Sequence, residues 1–423
     1  MVQIAAFKGW RYASDETDIS TLCAPPYDVL TTEERDALAA IDEHCVVELE
    51  LAHGSMDIDD PDSSFQRSKN TWTKWVEEGI VKEEAEPAIY VLEQEFDIDG
   101  VSHNRISFIV EMKLYAFDER VVLPHEHTLP KTVDNVFNLI NTSRVNYSQV
   151  FGLYQNATSE YDELVALARA QPPAATAVDA KGVRSTLHVM TDPDFIARTV
   201  AMLDGEEIFI ADGHHRYTVG LRLRDFARAA QEEGGKTECT MIALTNMDDP
   251  QLAILGYHRA VKAEGEFDAN AFCEAISEYF DIRDGNLDDL NAFDGPGFLM
   301  GLAGQPLKLV TLKPDVDLDK AIANDHCMAW KELDVSILHE LVIWPQLGVS
   351  TADVKTLERI AFSDKSADLL ARLEDGRSDV VFILRPTRMD QLRSITLEGE
   401  VLPQKATFFY PKLPSGMVFR SMR

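Results

Sequence analysis

The sequence predicts a mixed α/β (α+β) fold built from two or three packed domains. Its 423 residues exceed the length at which a single hydrophobic core usually suffices. With 45% hydrophobic and 26% charged residues, it holds enough apolar side chains for ordinary globular cores. Strand-like and helix-like segments are interspersed along the chain, which is typical of proteins that combine sheets and helices.

Changes in periodicity divide the chain into three expected regions. Residues 1–85 form an α-rich entry region, residues 86–260 a core that contains strands, and residues 261–423 a C-terminal α/β region. Neither a repeat nor a long low-complexity linker separates them, so the borders rest on the pattern alone.

Two helices are predicted in the first region. Thr31 or Thr32 can cap a helix that begins at Glu33, because a hydroxyl side chain accepts a hydrogen bond from an N–H group of the first turn. Farther on, Trp72 and Trp75 fall at helical spacing. We expect both tryptophans to lie in the core rather than in a ligand site.

Strands and helices alternate in the other two regions. The segment AIYVLEQEFDIDGVSHNRISFIVEMKL predicts two strands around a turn at residues 97–100. A loop bracketed by Pro124 and Pro130 follows it. After this loop, a predicted helix has one apolar face, which consists of Val133, Val136, Phe137 and Ile140. Nearer the C-terminus, DVSILHELVIWPQL is expected to be helical until Pro345 and VVFILRP to be a buried strand.

Charge and cysteine content exclude several classes of protein. With 72 acidic against 40 basic residues, the formal net charge of −32 disfavours binding to nucleic acid and to anionic membranes. No stretch reaches the roughly 18 apolar residues of a spanning helix, and the N-terminus turns polar too soon for a signal peptide. Five scattered cysteines without a C-x-x-C pair argue against a disulfide framework. We expect a cytoplasmic protein that binds neither nucleic acid nor a membrane.

The segment IFIADGHHRYTVGLRLRDF, residues 208–226, is the main candidate for a binding site. Its apolar start is typical of a strand, and Asp212-Gly213 is typical of a turn. The residues beyond the turn place one apolar face on a helix, formed by Val219, Leu223, Phe226 and Ala230. A strand, a turn and a helix are therefore predicted in that order.

A helix that opens at such a turn suits an anion. The first N–H groups of a helix are unpaired, Gly213 lets a ligand approach the backbone, and Arg216 can bind phosphate with two hydrogen bonds. His214 or His215 can add a donor. Two alternatives stay open. In the first, Asp212 caps the helix, one histidine packs inside and Arg216 pairs with a carboxylate. In the second, the histidines bind a metal.

The loop PHEHT, residues 124–128, is a second candidate. It does not match the zinc motif H-E-x-x-H, because position 129 is leucine, and it lacks the P-C-x-x-C partner of the deaminase motif. Glu126 can act as a general base, since neighbouring cations would hold it ionised and poised. The alternative is an ordinary salt bridge in a solvated loop.

These motifs, taken in order, resemble an uncharacterised prokaryotic family, the domain-of-unknown-function 1015 family. PHEHT, the segment from Arg144 to Phe151, and ADGHHRY carry the resemblance. It extends to FKGWRY, APPYDV, LDVSILHELV and PQKATFFYPKLPSG, and so covers nearly the whole chain. This resemblance implies no particular reaction.

A more distant resemblance, to a superfamily of nucleotide-binding proteins, implies a particular reaction. The D-G-H-H-R turn is similar to the signature of the ParB/sulfiredoxin superfamily, which binds nucleotides at a G-x-x-R turn opening a helix. Its free serine kinase branch pairs an upstream P-H-E glutamate, acting as base, with a downstream D-G-H-H-R, and residues 124–126 and 212–216 match these motifs. The resemblance implies a ParB/sulfiredoxin-like nucleotide-binding core with elaborated N- and C-terminal α/β regions.

The hypothesis that follows is a nucleotide-dependent kinase of a small hydroxylated metabolite, with free L-serine as the first candidate and Mg²⁺ with ATP or ADP as cofactors. The expected catalytic residues are Glu126 and His214. Contacts to phosphate or nucleotide are expected from Asp212, Gly213, His215, Arg216, Lys131 and Arg144. Contacts to the substrate are expected from His125, Thr128 and Asn146. Further candidates for metal or phosphate contacts are Asp134, Lys405 and Lys412.

Two other classes of protein stay open. The first is a nucleotide-binding regulatory protein without turnover, although the sequence shows no basic helix of the kind that reads DNA. The second is a metal-dependent phosphate-ester hydrolase, whose ligands would be His125, His127, His214 and His215. Stoichiometric metal in protein purified without added metal would favour the hydrolase over the other two.

Overall fold

The computed structural model describes residues 2–14, 16–156, 158–232, 235–350 and 358–423. The chain divides into two compact units, of which the first comprises Met1–Leu252 with Pro411–Arg423 and the second Ala253–Tyr410. Both units contain sheets and helices, so the predicted α/β fold class is confirmed. No helix within the described ranges is both long and apolar enough to cross a membrane.

The elements are numbered in chain order over the described residues. The strands are β1 (Ile4–Ala5), β2 (Trp10–Tyr12), β3 (Val81–Glu83), β4 (Ile89–Ile98), β5 (Val101–Lys113), β6 (Val122–Leu123), β7 (Val145–Asn146), β8 (Val150–Tyr154), β9 (Ala175–Val178), β10 (Arg184–Met190), β11 (Ile208–Asp212), β12 (Cys239–Asn246), β13 (Ala253–Leu255), β14 (His258–Val261), β15 (Phe280–Asp284), β16 (Gly297–Leu302), β17 (Lys308–Leu312), β18 (Ile360–Ser363), β19 (Val380–Ile383), β20 (Phe408–Tyr410) and β21 (Arg420–Ser421). The helices are α1 (Thr32–Ile41), α2 (Val47–Glu50), α3 (Ser64–Glu77), α4 (Pro130–Ser143), α5 (Ser159–Arg169), α6 (Pro193–Leu203), α7 (His214–Ala229), α8 (Ala269–Ile276), α9 (Leu287–Ala292), α10 (Leu318–Ala321), α11 (Met328–Lys331), α12 (Asp334–Leu338), α13 (Trp344–Leu347), α14 (Ser366–Glu374) and α15 (Met389–Leu397).

A mixed sheet forms the centre of the first unit. Its nine described strands run in the order β6-β11-β8-β12-β5-β4-β10-β9, with β1 beside β5. The pairs β6–β11 and β8–β12 are parallel, and the other neighbours are antiparallel. The main hydrophobic core lies between the central strands and the helices α5 and α6. The predicted hairpin is confirmed as β4 and β5, and at its turn Gly100 N–H donates to the Asp97 carboxylate over 2.7 Å.

The entry region contains the predicted capped helix. Thr31 precedes α1 and its hydroxyl accepts from Glu34 N–H over 3.2 Å, while the Glu34 carboxylate accepts from Thr31 N–H over 2.9 Å. This reciprocal capping box starts the helix at Thr32, one residue earlier than predicted. Trp72 and Trp75 on α3 are both buried, which confirms their assignment to the core.

Helices α4 and α7 pack against each other through a second apolar cluster. Because α4 follows the PHEHT loop and α7 begins within the D-G-H-H-R motif, this packing brings the two predicted motifs side by side. The cluster contains the whole predicted face of α4 with two residues of α7: Val133, Val136, Phe137, Ile140, Val219 and Leu223.

The apolar face predicted for α7 is wrong in its C-terminal half. Phe226 is 48% exposed, and Ala230 lies exposed at the C-terminal cap. Arg224 and Ala227 are buried there instead. The guanidinium of Arg224 reaches the sheet, where it donates to the carbonyl of Leu114 over 3.0 Å, so a buried polar contact replaces the expected apolar one.

The borders of the compact units differ from those expected at residues 85 and 260. The entry region is joined to the central sheet, because β1 pairs with β5. The last thirteen residues also return to the first unit, where β21 pairs with β7 and the backbone of Phe419 exchanges hydrogen bonds of 2.9 Å with Trp10. Such pairings link residues hundreds of positions apart, and a local pattern cannot reveal them.

The second unit is built on an antiparallel sheet. Its six described strands run in the order β15-β17-β16-β19-β14-β18, and β19 is the predicted buried strand of VVFILRP. The helix predicted to end at Pro345 continues past it, because α12 passes through a π-helical turn at His339–Ile343 into α13. Pro345 is the second residue of α13, and because it has no N–H, one hydrogen bond is missing from a helix that otherwise runs on from the π-helical turn.

The tail supplies a core side chain whose removal tests its part in folding. Phe419 is fully buried against the rings of Tyr12, Trp72 and Tyr147. We expect Phe419→Ala to lower the free energy of unfolding by about 3–5 kcal/mol, since it leaves a cavity in an aromatic cluster. Urea denaturation would measure it. The control Val101→Ala, at a residue that is 59% exposed, should change it by less than about 0.5 kcal/mol. Equal losses in both variants would contradict the assignment.

Candidate active site

The turn between β11 and α7 requires glycine. Gly213 has a φ of 84°, a left-handed backbone conformation that residues other than glycine rarely adopt. A Cβ at this position would also lie 2.9 Å from Nε and 3.0 Å from Cζ of Arg216. Glycine therefore permits both the turn and the close approach of the arginine to the backbone.

The first turn of α7 leaves backbone donors beyond its own hydrogen-bonding needs. The first bond within the helix runs from Tyr217 N–H to the Gly213 carbonyl over 3.0 Å. The N–H groups of residues 214–216 precede that bond, and the partial positive charge of the helix start lies with them. An anion in front of this turn would meet both the N–H groups and the partial positive charge.

Asp212 gathers positive charge at the start of the helix. Its carboxylate accepts from Gly213 N–H over 2.8 Å and from Lys412 Nζ over 3.1 Å, and Arg216 Nη2 lies 4.0 Å away. Burial alone would raise the pKa of Asp212, but the charges of Lys412 and Arg216 lower that pKa well below its usual range. The carboxylate is therefore ionised and orients both cations.

Arg216 is a buried cation with unused hydrogen-bonding capacity. It is 8% exposed, and its Nη1 donates to the carbonyl of Gln149. Its Nε is buried with no hydrogen-bond partner in the part of the chain that the structure describes. Burial would lower the pKa of Arg216, but the neighbouring Asp212, Tyr27 and Asp28 raise it. A buried donor without a partner is uncommon in proteins and fits a site that receives an acceptor from a ligand.

The two histidines of the turn hold the PHEHT loop. His214 Nε2 accepts from the backbone N–H of His125 over 3.2 Å, and His215 Nε2 accepts from the backbone N–H of Leu129 over 3.0 Å. The rings of His125 and His214 also pack edge to face, with centroids 4.6 Å apart. The loop between β6 and α4 is thus fastened at both ends to the first turn of α7.

These contacts require uncharged imidazoles, because an Nε2 that accepts a hydrogen bond carries no proton. Burial lowers the pKa of His125 to about 4, and its Nδ1 lies 2.6 Å from the carbonyl of Ile210. Burial and the neighbouring His125 lower the pKa of His214 well below its usual range. His214 was predicted to be catalytic and His215 to bind phosphate; their positions favour a structural role for both.

Glu126 lies on the loop that the histidines fasten. It is half-buried, and it is close enough to His215 that its charge partly offsets the lowering of the pKa of His215 by burial. The structure therefore brings the predicted base to the predicted phosphate-binding turn. Thr128, on the same loop, is half-buried, whereas His127 is exposed.

Other predicted residues are engaged elsewhere. Arg144 forms two hydrogen bonds of 3.0 Å with Glu232, and the side-chain oxygen of Asn146 accepts from Arg420 over 3.2 Å. Lys131 is exposed on the first turn of α4. These three side chains face other partners or solvent. The order of residues along the chain does not determine which way a side chain points, so the sequence could not show this.

Two of the further candidates have contacts of their own. Asp134 accepts a hydrogen bond of 2.6 Å from Arg222. Lys405 belongs to the second unit, where its amine lies 5.5 Å from the centre of the Tyr257 ring. Lys412 is the tail lysine that reaches the site.

Residues of the entry region complete the site, and the sequence did not single them out. Glu50 accepts a hydrogen bond from the Ser148 hydroxyl, and burial raises the pKa of Glu50. Tyr27 and Asp28 lie near enough to Arg216 to raise its pKa. The motif APPYDV contains Tyr27 and Asp28 and was the one indication in the sequence that these residues belong to the site. Glu50 lies in a helical segment whose sequence gives no such indication.

A cavity of about 250 Å³ adjoins this arrangement within the first unit. It lies between α4 and the segment that runs from α2 into α3, and Arg216 forms part of its wall. Arg216 therefore contacts two features at once, the Asp212 cluster and the cavity.

No group of three or more His, Cys, Asp or Glu side chains in the described ranges is arranged to hold a metal ion. His125 and His214 also direct ring nitrogens to protein atoms. The metal-dependent hydrolase therefore has no ligand set among these residues.

The chain matches the sequence model of a protein family. The sequence model of the family described as "Protein of unknown function (DUF1015)" matches residues 4–336. No curated protein sequence matches the chain.

Several solved structures are similar to this one at low identity. A conserved hypothetical protein from Pyrococcus furiosus is 13% identical, with a TM-score of 0.36 over 75% of this chain and 95% of that protein. A free serine kinase in complex with AMP is 13% identical, with a TM-score of 0.35 over 72% and 86%. SbnI from Staphylococcus aureus, truncated at its C-terminus, is 12% identical, with a TM-score of 0.34 over 71% and 84%. Since these TM-scores lie below 0.5, any reaction has to be argued from the site itself.

The buried neutral histidines predict how stability depends on pH. The pKa of His125 falls from 6.5 in the unfolded chain to about 4, so below pH 6.5 the unfolded chain binds a proton that the folded chain does not. His214 adds to this effect. We expect the free energy of unfolding to decrease between about pH 6.5 and 4, by up to about 1.4 kcal/mol per pH unit for each histidine.

Urea denaturation across this range would measure the slope. His214→Gln keeps an acceptor for the His125 N–H but cannot titrate, so it should make the slope shallower. The matched control His127→Gln, on the same loop but exposed, should leave the slope unchanged. Identical slopes in the wild type and His214→Gln would show that the buried ring is not the titrating group.

Proposed function

The chain belongs to the family described as "Protein of unknown function (DUF1015)", and because that description assigns no reaction, we propose from the site that it is a nucleotide-dependent kinase of a small hydroxylated metabolite. The observation that carries the proposal is the cluster of Asp212, Lys412 and Arg216 at the start of α7, with Glu126 on the loop fastened to the same turn. This combination provides an anion site beside a carboxylate base.

The anion site suits the phosphates of ATP or ADP. Arg216 offers a buried Nε that has no partner among the residues the structure describes, Lys412 offers a second positive charge, and the helix start adds backbone donors. Phosphoryl transfer depends chiefly on positioning and on neutralising charge, which this arrangement supplies. Mg²⁺ bound to the nucleotide would neutralise the remaining phosphate charge.

Glu126 supplies the base. The acceptor's hydroxyl oxygen forms a bond to the terminal phosphorus as the bond to the departing nucleotide breaks, and Glu126 takes the proton of that hydroxyl. His214 and His215 act indirectly, because their neutral rings hold the loop that carries Glu126. Free L-serine is the acceptor that the resemblance of the PHE and DGHHR motifs to the free serine kinases implies.

The test of the reaction is incubation with Mg²⁺, ATP or ADP and a panel of hydroxylated amino acids, followed by mass spectrometry of the products. We expect Glu126→Gln to lower turnover by about 10²–10⁴-fold, since a positioned base contributes about that much, while leaving nucleotide affinity nearly unchanged. His127→Gln is the matched control on the same loop and should keep full turnover. Measurable nucleotide binding without any phosphorylated product would reject the kinase in favour of a regulatory nucleotide-binding protein.

A second prediction concerns the phosphate site. We expect Lys412→Met to weaken binding of ADP by roughly 10- to 100-fold, because it removes one charge-assisted contact worth about 1.5–3 kcal/mol. Isothermal titration calorimetry would measure the affinity. Lys131→Met removes the same charge from an exposed position on α4 and should change the affinity little. Should the two variants weaken binding equally, the loss would reflect net charge rather than a contact at Asp212.

A further inference from the structure

The cavity beside Arg216 is apolar over most of its wall. Leu51 and Phe65 line it from the entry region, and Val136, Leu139 and Ile140 line it from α4. Pockets with such walls and a few placed polar groups are typical of sites for small molecules. An occupant would gain most of its affinity by burying apolar surface there.

One end of the cavity is polar. Glu50, Ser148 and Arg216 meet there, and the Ser148 hydroxyl donates to the Glu50 carboxylate. The phenol of Tyr27 also lines this end. These groups can hold the hydroxyl or ammonium group of a molecule whose apolar part fills the rest.

The position of the cavity relates it to the acceptor rather than to the nucleotide. Its wall includes Thr132 and Asn135 on the first turns of α4, the helix that directly follows the loop of Glu126. A base has to lie within reach of the hydroxyl it deprotonates. The carboxylate of Glu50 at the polar end also repels a polyphosphate, whose charges are matched instead by Lys412 and Arg216 on the side of Asp212.

We propose that this cavity binds the phosphoryl acceptor, and that the acceptor carries a branched aliphatic or aromatic group beside its hydroxyl. The inference rests on the proposed kinase function and defines its substrate class. L-serine would reach the polar end but leave most of the 250 Å³ unfilled, and an acceptor with an apolar substituent would fill it. Arg216 then lies between the acceptor and the phosphates.

A graded series of acceptors tests the substrate class. With ATP and Mg²⁺, kcat/KM is measured for L-serine, L-threonine, 3-hydroxyleucine and 3-phenylserine. We expect it to rise about fourfold for each added carbon that becomes buried, hence roughly 60-fold from serine to 3-hydroxyleucine, which adds three carbons. The series needs no variant, so it stays interpretable whatever the effect of a substitution on folding.

Filling the cavity tests its location. Ala52 lines the cavity, and Ala52→Trp should lower the ratio of kcat/KM for 3-phenylserine to that for L-serine at least tenfold, whereas AMP affinity should stay within about twofold. Leu139→Phe, a milder change in the opposite wall, should lower the ratio in the same direction. Leu167→Trp, at a residue on α5 that is 42% exposed, is the control and should leave the ratio unchanged.

Each outcome separates this inference from the kinase proposal. If L-serine is phosphorylated and the larger acceptors react no better, the inference is overturned and the kinase stands. If Ala52→Trp abolishes AMP binding, the nucleoside occupies the cavity, which also overturns the inference. If no acceptor is phosphorylated, calorimetric titration of 3-phenylserine and L-serine in the presence of AMP decides: tighter binding of 3-phenylserine that Ala52→Trp removes supports the site, and its absence overturns the site together with the kinase.

Discussion

The ionised carboxylate of Asp212 joins three parts of the first unit that are far apart in the sequence. It ends β11, bonds to the turn that starts α7, and pairs with Lys412 in the C-terminal tail. A buried charge is costly unless it is paired, so the carboxylate and its two cations depend on one another. The tail can supply Lys412 because the carbonyl of Pro411 accepts from Arg105 over 2.6 Å and that of Lys412 accepts from Gln94 over 3.2 Å. The position of the tail and the pairing of charges at Asp212 therefore depend on each other.

The same turn also determines where the loop of Glu126 lies. Two neutral imidazoles, of His214 and His215, accept hydrogen bonds from backbone N–H groups of that loop and so hold it against the turn. Burial keeps the rings unprotonated, and protonation would remove both acceptors. The position of Glu126 and the local stability thus depend on the same hydrogen bonds, which links the pH dependence of folding to the position of that side chain.

Arg216 lies between the cluster around Asp212 and the cavity. Gly213 lets its guanidinium approach the backbone, Asp212 orients it, and the Gln149 carbonyl accepts from one of its nitrogens, while Nε has no partner within the described ranges. The apolar packing of α4 against α7 sets the distance between the loop and the turn, because both elements start at the site. A change in that packing would therefore alter the position of Glu126 and the shape of the cavity together.

The sequence by itself determined the local elements: the strand, turn and helix around Gly213, the capping box at Thr31, the β4–β5 hairpin and the buried face of α4. These follow from periodicity, turn chemistry and capping, which act over a few residues. It also indicated that Glu126 and Arg216 belong to one site, through a resemblance between motifs. Only the tertiary structure decided which side chains meet there.

The tertiary structure brings Lys412 and Glu50 to the turn, pairs Arg144 and Asn146 with other residues, and leaves Lys131 in solvent. The physical reason is that charges and hydrogen bonds act over a few ångströms in space, whereas a sequence pattern describes only the neighbours along the chain.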